Sequence, residues 1–230
     1  MSDVGKRAAG EAAAALVEDG MRLGLGTGST VAYFLDALAA RELDVAGIPT
    51  SEATAGRCRE LGIGLLDTAE VERLDLCVDG ADELDNDLQL TKGGGGALLR
   101  EKVVATLSDR FVVIATVDKL VDRLADTFAL PIEVVPFAVG PVRRTLQGLG
   151  FEPRVRMSGD DPYRTDNGNA IIDARCDGGV DDPAVIDVTI GLLPGVVETG
   201  LFIDLADLAL LGDDRGEVTR VTAEDRNPRR

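Results

Sequence analysis

Between residues 74 and 102 the chain reads LDLCVDGADELDNDLQLTKGGGGALLREK, and few backbones accept that order. The apolar residues Leu74, Leu76, Cys77 and Val78 predict a buried strand that stops abruptly at Asp79 and Asp82. Lys92 then opens a glycine run, Gly93, Gly94, Gly95 and Gly96, and a helical pattern carrying Glu101 follows at once. Strand, terminal carboxylates, lysine, glycine loop and helix start together build a small-molecule site at the strand ends of an α/β protein.

The flanking sequence repeats that alternation. Residues 3–19 predict an amphipathic helix with Ala8, Ala12, Ala15 and Leu16 on one face. Residues 21–25 predict a strand, followed by the turn GTGST and a helix over 31–40. A strand ending at 47–49, a helix over 51–61, a strand over 64–66, a helix over 97–107 and a strand over 111–115 continue the series. The expectation is a doubly wound, mostly parallel α/β sheet of Rossmann-like type. Its carboxyl edge would gather Thr27, Ser29, Thr30, Asp79, Asp82 and Lys119.

From residue 130 the rhythm changes. A strand over 132–135, a helix over 142–149, strands at 154–156 and 170–173, a helix over 184–193 and a strand over 196–202 spell βαββαβ. That is the ferredoxin-like split motif, so a second, smaller α+β domain is expected. Strands at 208–211 and 218–221 would return to the main sheet. The expected division is 1–129 plus 205–225, a small domain at 130–204, and a disordered tail at 226–230.

Charge and composition exclude several functions. A formal net charge of −17 argues against nucleic acid, whose phosphates would be repelled. The excess of aspartate with few lysines fits solvation in high salt, so a halophilic source is expected. No apolar run approaches the roughly 18 residues that span a bilayer, and the N-terminus reads as a helix, so a cytoplasmic protein without membrane partners is expected. With no histidine in the chain, a Ser-His-Asp triad and a His-liganded zinc are both excluded. Acid–base work must then fall to carboxylates, lysine, cysteine or tyrosine. Cys58, Cys77 and Cys176 lack a CxxC spacing and read as structural thiols.

The GTGST turn offers backbone amides at a helix start with the hydroxyls of Thr27, Ser29 and Thr30, an anion cradle. No GK[ST] follows, and Gly24, Gly26 and Gly28 do not match the dinucleotide fingerprint, so a monophosphate fits best. Lys6, in the first helical turn, is either a solvated surface cation or a lysine that reaches a phosphate. Glu101 has Ala97, Leu98, Val104 and Ala105 as its helical neighbours. Burial there would raise its carboxyl toward a useful base, whereas an exposed charge paired with Lys102 is the plain alternative.

At VDGADELD, KGGGGALLREK and GLGTGST the chain resembles the type A ribose-5-phosphate isomerases, and TDNGNAIID and LPGVVETGLF extend the likeness over nearly the whole length. The resemblance implies a doubly wound α/β domain with a small α+β domain beside the cleft, and a homodimer or homotetramer. It implies interconversion of ribose 5-phosphate and ribulose 5-phosphate without metal or organic cofactor. By the same resemblance Glu101 is the catalytic glutamate, with Asp79, Asp82 and Lys92 beside it. Thr27, Gly28, Ser29 and Thr30 bind phosphate, and Lys6 and Lys119 match two further lysines of the family. The glycines after Lys92 would then steady an enediolate oxygen. Two departures stand out: Gly96, where many relatives have alanine, and the strongly acidic surface. A non-catalytic sugar-phosphate sensor and a nucleotide-dependent oxidoreductase are the alternatives. The first needs the cradle but no base, and the second needs the fingerprint this chain lacks.

Overall fold

The computed structural model describes residues 3–222. The tail expected at 226–230 lies outside the described residues.

Seven strands make the main sheet, in the spatial order Val218–Thr222, Leu208–Gly212, Phe111–Thr116, Leu76–Asp79, Arg22–Leu25, Ala46–Pro49, Gly64–Leu65. Every neighbouring pair is parallel except the outermost, Leu208–Gly212 with Val218–Thr222. Alternation along each central strand assigns its side chains to opposite faces. Leu76, Val78, Val112, Ile114, Leu208 and Leu210 join one core with the helices Asp3–Ala14 and Ser29–Ala39. Cys77, Phe111, Val113, Ala115, Ala209 and Leu211 join the other with Val104 of the helix Leu98–Thr106. Burial on both faces explains why these strands read as continuous apolar runs.

A four-stranded antiparallel sheet forms the smaller lobe, in the order Val196–Thr199, Leu130–Val134, Ala170–Arg175, Glu152–Val155. With the helices Val139–Gly148 and Pro183–Gly191 it has the strand order of a ferredoxin-like split motif. The segment leading into this lobe is pinned by Glu83, fully buried, which accepts from the amides of Ala125, Thr127 and Phe128.

Two local expectations differ. The first helix ends at Ala14, where the hydrogen bonds tighten to Leu16→Ala13 and Val17→Ala14 before Gly20 turns with φ 83°. Residues 196–202 do not form one strand. Val196–Thr199 belongs to the small sheet, whereas Leu201–Phe202 pairs with Leu90–Thr91 in a three-stranded sheet completed by Glu83–Leu84. The switch occurs at Gly200, where an added Cβ would lie 2.3 Å from the Lys92 carbonyl oxygen. That close approach lets Gly200 accept the Lys92 amide at 2.8 Å and brings the small lobe against the stretch over 74–102.

Candidate active site

At the carboxyl edge of the main sheet a cleft of about 160 Å³ is lined by Ser29, Thr30, Asp82, Lys92, Glu101 and Lys119, with the glycine loop as one wall. A larger cavity of about 760 Å³ lies on the other side of the Leu98–Thr106 helix. It holds Arg59 and Arg100 but no buried acid–base group, so chemistry and not size selects the smaller cleft.

The cleft is built around a buried lysine. Lys92, 3 % exposed, donates to the Gly80 carbonyl at 2.6 Å. Its ammonium lies 3.1 Å from Asp79 Oδ2 and 3.4 Å from Glu101 Oε1. Burial alone would lower the lysine's pKa, but Asp79 and Glu101 more than offset that and hold it above its ordinary value. Glu101 is 5 % exposed. Burial first, and then the Asp79 charge, push its carboxyl up to about 8 against the pull of Lys92. Its Oε2 is buried without a protein partner among the described residues. A buried carboxyl with one oxygen free, titrating near neutrality, is equipped to take and return a proton. Lys102 is not its partner; that lysine pairs with Glu198 at 2.6 Å and Asp187 at 3.7 Å in the small lobe.

The two aspartates do different jobs. Asp79, 1 % exposed, does not line the cleft. Its Oδ1 accepts from the amides of Thr27 at 3.0 Å and Gly80 at 2.7 Å, while Oδ2 faces Lys92. It thus positions the turn at 26–30 and the lysine from behind. Gly26 is required for this, because a Cβ there would come 2.2 Å from Asp79 Oδ1. Asp82 does line the cleft and accepts from the Gly94 amide at 2.7 Å. Burial pushes its carboxyl upward against that bond and the charge of Lys92.

The turn at 26–30 is narrower in its offering than its hydroxyls promise. Thr27 spends its amide on Asp79 and shares its hydroxyl with Thr50, Ser51 and Thr54 at 2.7, 2.9 and 3.1 Å. Thr27 and Gly28 still line the cleft, beside the start of the Ser29–Ala39 helix, whose N-cap Gly28 makes no side-chain capping bond. Ser29 and Thr30 therefore present uncapped helix amides and hydroxyls to an anion. Lys119 lines the same end without an ion pair among the described residues. Lys6 does not line the cleft; it lies in the Asp3–Ala14 helix, 3.9 Å from Asp3.

The glycine loop too is partly committed. Gly94 donates to Asp82 and Gly96 donates to the Gly93 carbonyl at 2.9 Å, which leaves Gly95 as the lining glycine whose amide is not spent on either bond. Gly96 has φ 80°, and a Cβ there would lie 2.2 Å from Tyr163 Oη, so alanine does not fit beside that tyrosine. Sequence reasoning missed Thr50, Ser51 and Thr54, although the PTSEAT segment bears its hydroxyls at a strand's end. It also missed Arg156, which has no local signal at all.

The family model described as ribose 5-phosphate isomerase A (phosphoriboisomerase A) matches residues 46–216. A ribose-5-phosphate isomerase A of Caulobacter sp. (strain K31) is 51% identical over 225 residues, 96% of this chain and 99% of that protein. The solved ribose 5-phosphate isomerase A of Methanocaldococcus jannaschii superposes with a TM-score of 0.90 at 39% identity, covering 96% of this chain and 98% of that one. A D-ribose-5-phosphate isomerase solved in complex with phospho-erythronic acid superposes with a TM-score of 0.92 at 36% identity, covering 96% and 99%.

Proposed function

Since this chain belongs to the ribose 5-phosphate isomerase A family, we propose that Glu101 is the general base that moves a proton between C1 and C2 of its substrate. The enzyme is an isomerase of ribose 5-phosphate, and the product is ribulose 5-phosphate. The observation that carries the reading is Glu101 itself: buried, free at Oε2 and poised near neutral pH in a cleft with a helix N-terminus at one end.

The phosphate is held at Ser29, Thr30 and Lys119, which fixes the sugar's distance from the base. Asp82, facing the cleft, handles the sugar hydroxyls and ring opening. Glu101 then removes the C2 proton of the open-chain aldose and returns it to C1, while the proton of the C2 hydroxyl passes to the C1 oxygen. The enediolate oxygen between these steps is met by the Gly95 amide, in the field of the Lys92 ammonium. Lys92 is saturated by Gly80, Asp79 and Glu101, so it acts through its charge and not as a free donor. The sensor alternative is set aside: relatives this similar over nearly their full length are isomerases.

A pH profile tests the base. The raised carboxyl must lose its proton to act, so kcat/KM should rise with pH through an apparent midpoint near 8. Asp79 contributes to raising that carboxyl, so Asp79→Asn should shift the rising limb to lower pH. A limb that stays in the ordinary carboxylate range in the wild type would assign the base elsewhere.

We further propose that residues 130–204 are a unit inserted between 1–129 and 205–225, and that the enzyme is a cytoplasmic homodimer or homotetramer suited to high salt. The Pro183–Gly191 helix exposes Val185 and Val188 on one face, followed by Leu192 at 78 % exposure. Phe137, 98 % exposed, comes from a neighbouring turn, since Ala138 packs on Gly195. These side chains support a self-association surface. At a net charge of −17 such association should tighten as salt screens the repulsion. Light scattering in dilute buffer and in molar KCl checks this; a monomer in both would refute it.

A further inference from the structure

The glycine loop is held from outside by a residue that no part of the reaction scheme uses. Arg156, in the small lobe, donates through one guanidinium nitrogen to the carbonyls of Gly93 at 2.9 Å and Gly94 at 3.0 Å. Its other two nitrogens are fixed on Asp173, at 2.9 Å to Oδ2 and 2.5 Å to Oδ1, a bidentate pair that sets the plane of the fork. Tyr163, whose ring lies 5.8 Å from the guanidinium carbon, donates to the next carbonyl, Gly95, at 3.3 Å. Three consecutive carbonyls thus face donors of the small lobe.

Peptide planarity turns this into a statement about the cleft. In a trans peptide the carbonyl and the following N–H point in opposite directions. Among the described residues no peptide bond is cis. Arg156 on the carbonyls of Gly93 and Gly94 therefore aims the amides of Gly94 and Gly95 the other way. The Gly94 amide is found there, 2.7 Å from Asp82, and Gly95 lines the cleft. Four glycines in a row have little conformational preference of their own, and Gly93 already sits at φ 106°. Without an external hold, the Gly94–Gly95 peptide is free to rotate its N–H out of the cleft.

We propose that Arg156, oriented by Asp173, is a positioning residue for the isomerisation: it holds the Gly94 and Gly95 amides toward Asp82 and the developing enediolate oxygen. The inference rests on the proposed isomerase mechanism and adds to it a contribution from the smaller lobe.

The test compares wild type with Arg156→Ala, Arg156→Lys and Asp173→Asn. For each, kcat and KM for ribose 5-phosphate are measured, with inhibition by inorganic phosphate as a separate reading of the anion end. Loss of one such donor typically lowers kcat by about a hundredfold, so Arg156→Ala should do so while phosphate inhibition changes by less than about threefold. Millimolar guanidinium, but not equal KCl, should restore part of the lost kcat. Lysine has three donors on one atom and no planar fork for the four bonds that Arg156 makes, so Arg156→Lys should remain about tenfold impaired. If Arg156→Ala does not fold, Asp173→Asn decides, with an expected kcat loss of about tenfold at unchanged phosphate inhibition. A kcat within about twofold of wild type in the folded arginine variant, or in Asp173→Asn where that variant fails to fold, overturns the proposal. So does joint loss of kcat and phosphate inhibition in a folded variant, the mark of general damage. A wild type without turnover would instead bring down the isomerase mechanism itself.

Discussion

Replacing Glu101 by glutamine should lower kcat by about a thousandfold while leaving sugar-phosphate binding nearly intact, because general-base contributions fall in that range. The substitution keeps the shape and the contact with Lys92 but removes the group that accepts the proton. The anion end of the cleft, at Ser29, Thr30 and Lys119, is not touched by it. Rates of ribulose 5-phosphate formation, with binding of ribose 5-phosphate measured calorimetrically, give both quantities. A Glu101→Gln enzyme with substantial kcat would transfer the base to another carboxylate, Asp82 first because it lines the cleft. Loss of binding along with kcat would instead mean that Glu101 holds the site together.

The second large effect is on stability. Lys92→Met leaves the carboxylates of Asp79 and Glu101 facing a buried gap, and removing one partner of a buried ionic cluster typically costs about 3–5 kcal/mol. The pH dependence has a definite sign. Glu101 is already pushed up to about 8 with the lysine present, and the lysine is what holds it down. Without it the folded carboxyl keeps its proton to higher pH, whereas the unfolded chain releases it above the ordinary glutamate range. The folded state then binds more protons than the unfolded one, and stability falls as pH rises across that window. Wild type, with its folded carboxyl at about 8, shares this loss up to that pH and then levels off, whereas the variant goes on losing stability above it. Urea melts at pH 7 and pH 9 should show the gap between variant and wild type widening with pH. A gap that is constant or narrows would mean that the lysine's packing, not its charge, stabilises the cluster.

What the sequence disclosed and what it withheld divide along a physical line. The main sheet was legible because each strand is an apolar run buried on both faces and cut off by polar residues at its carboxyl end. Glu101, Lys92 and Asp82 were legible for the same reason, since costly charges beside apolar runs and glycines mark a cleft. Periodicity is local, however, and carries no information about partners far along the chain. It could not show that Thr27 surrenders its hydroxyl to Thr50 and Ser51, or that Asp79 works from behind the cleft wall. Nor could it place Arg156 on a loop 63 residues away, or break the 196–202 segment at Gly200, whose reason is the backbone of Lys92. Lys6 is the converse case: a lysine whose fit to the family pattern suggested the cleft, and which the fold places outside its lining.

The seating of Lys92 against Gly200 also bears on when the protein becomes competent during its own synthesis. By the time residue 130 has been made, the chain contains Asp82, Lys92, Glu101 and Lys119, all the charged groups of the cleft. Yet the Lys92 amide has no acceptor until Gly200 arrives, the Leu90–Thr91 strand lacks its neighbour Leu201–Phe202, and Phe111–Thr116 lacks its parallel neighbour Leu208–Gly212. Contacts closed over such sequence separations form late and slowly. A growing chain therefore carries these charged groups long before the backbone that seats them, and the segment over 200–212 is what completes the frame of the cleft.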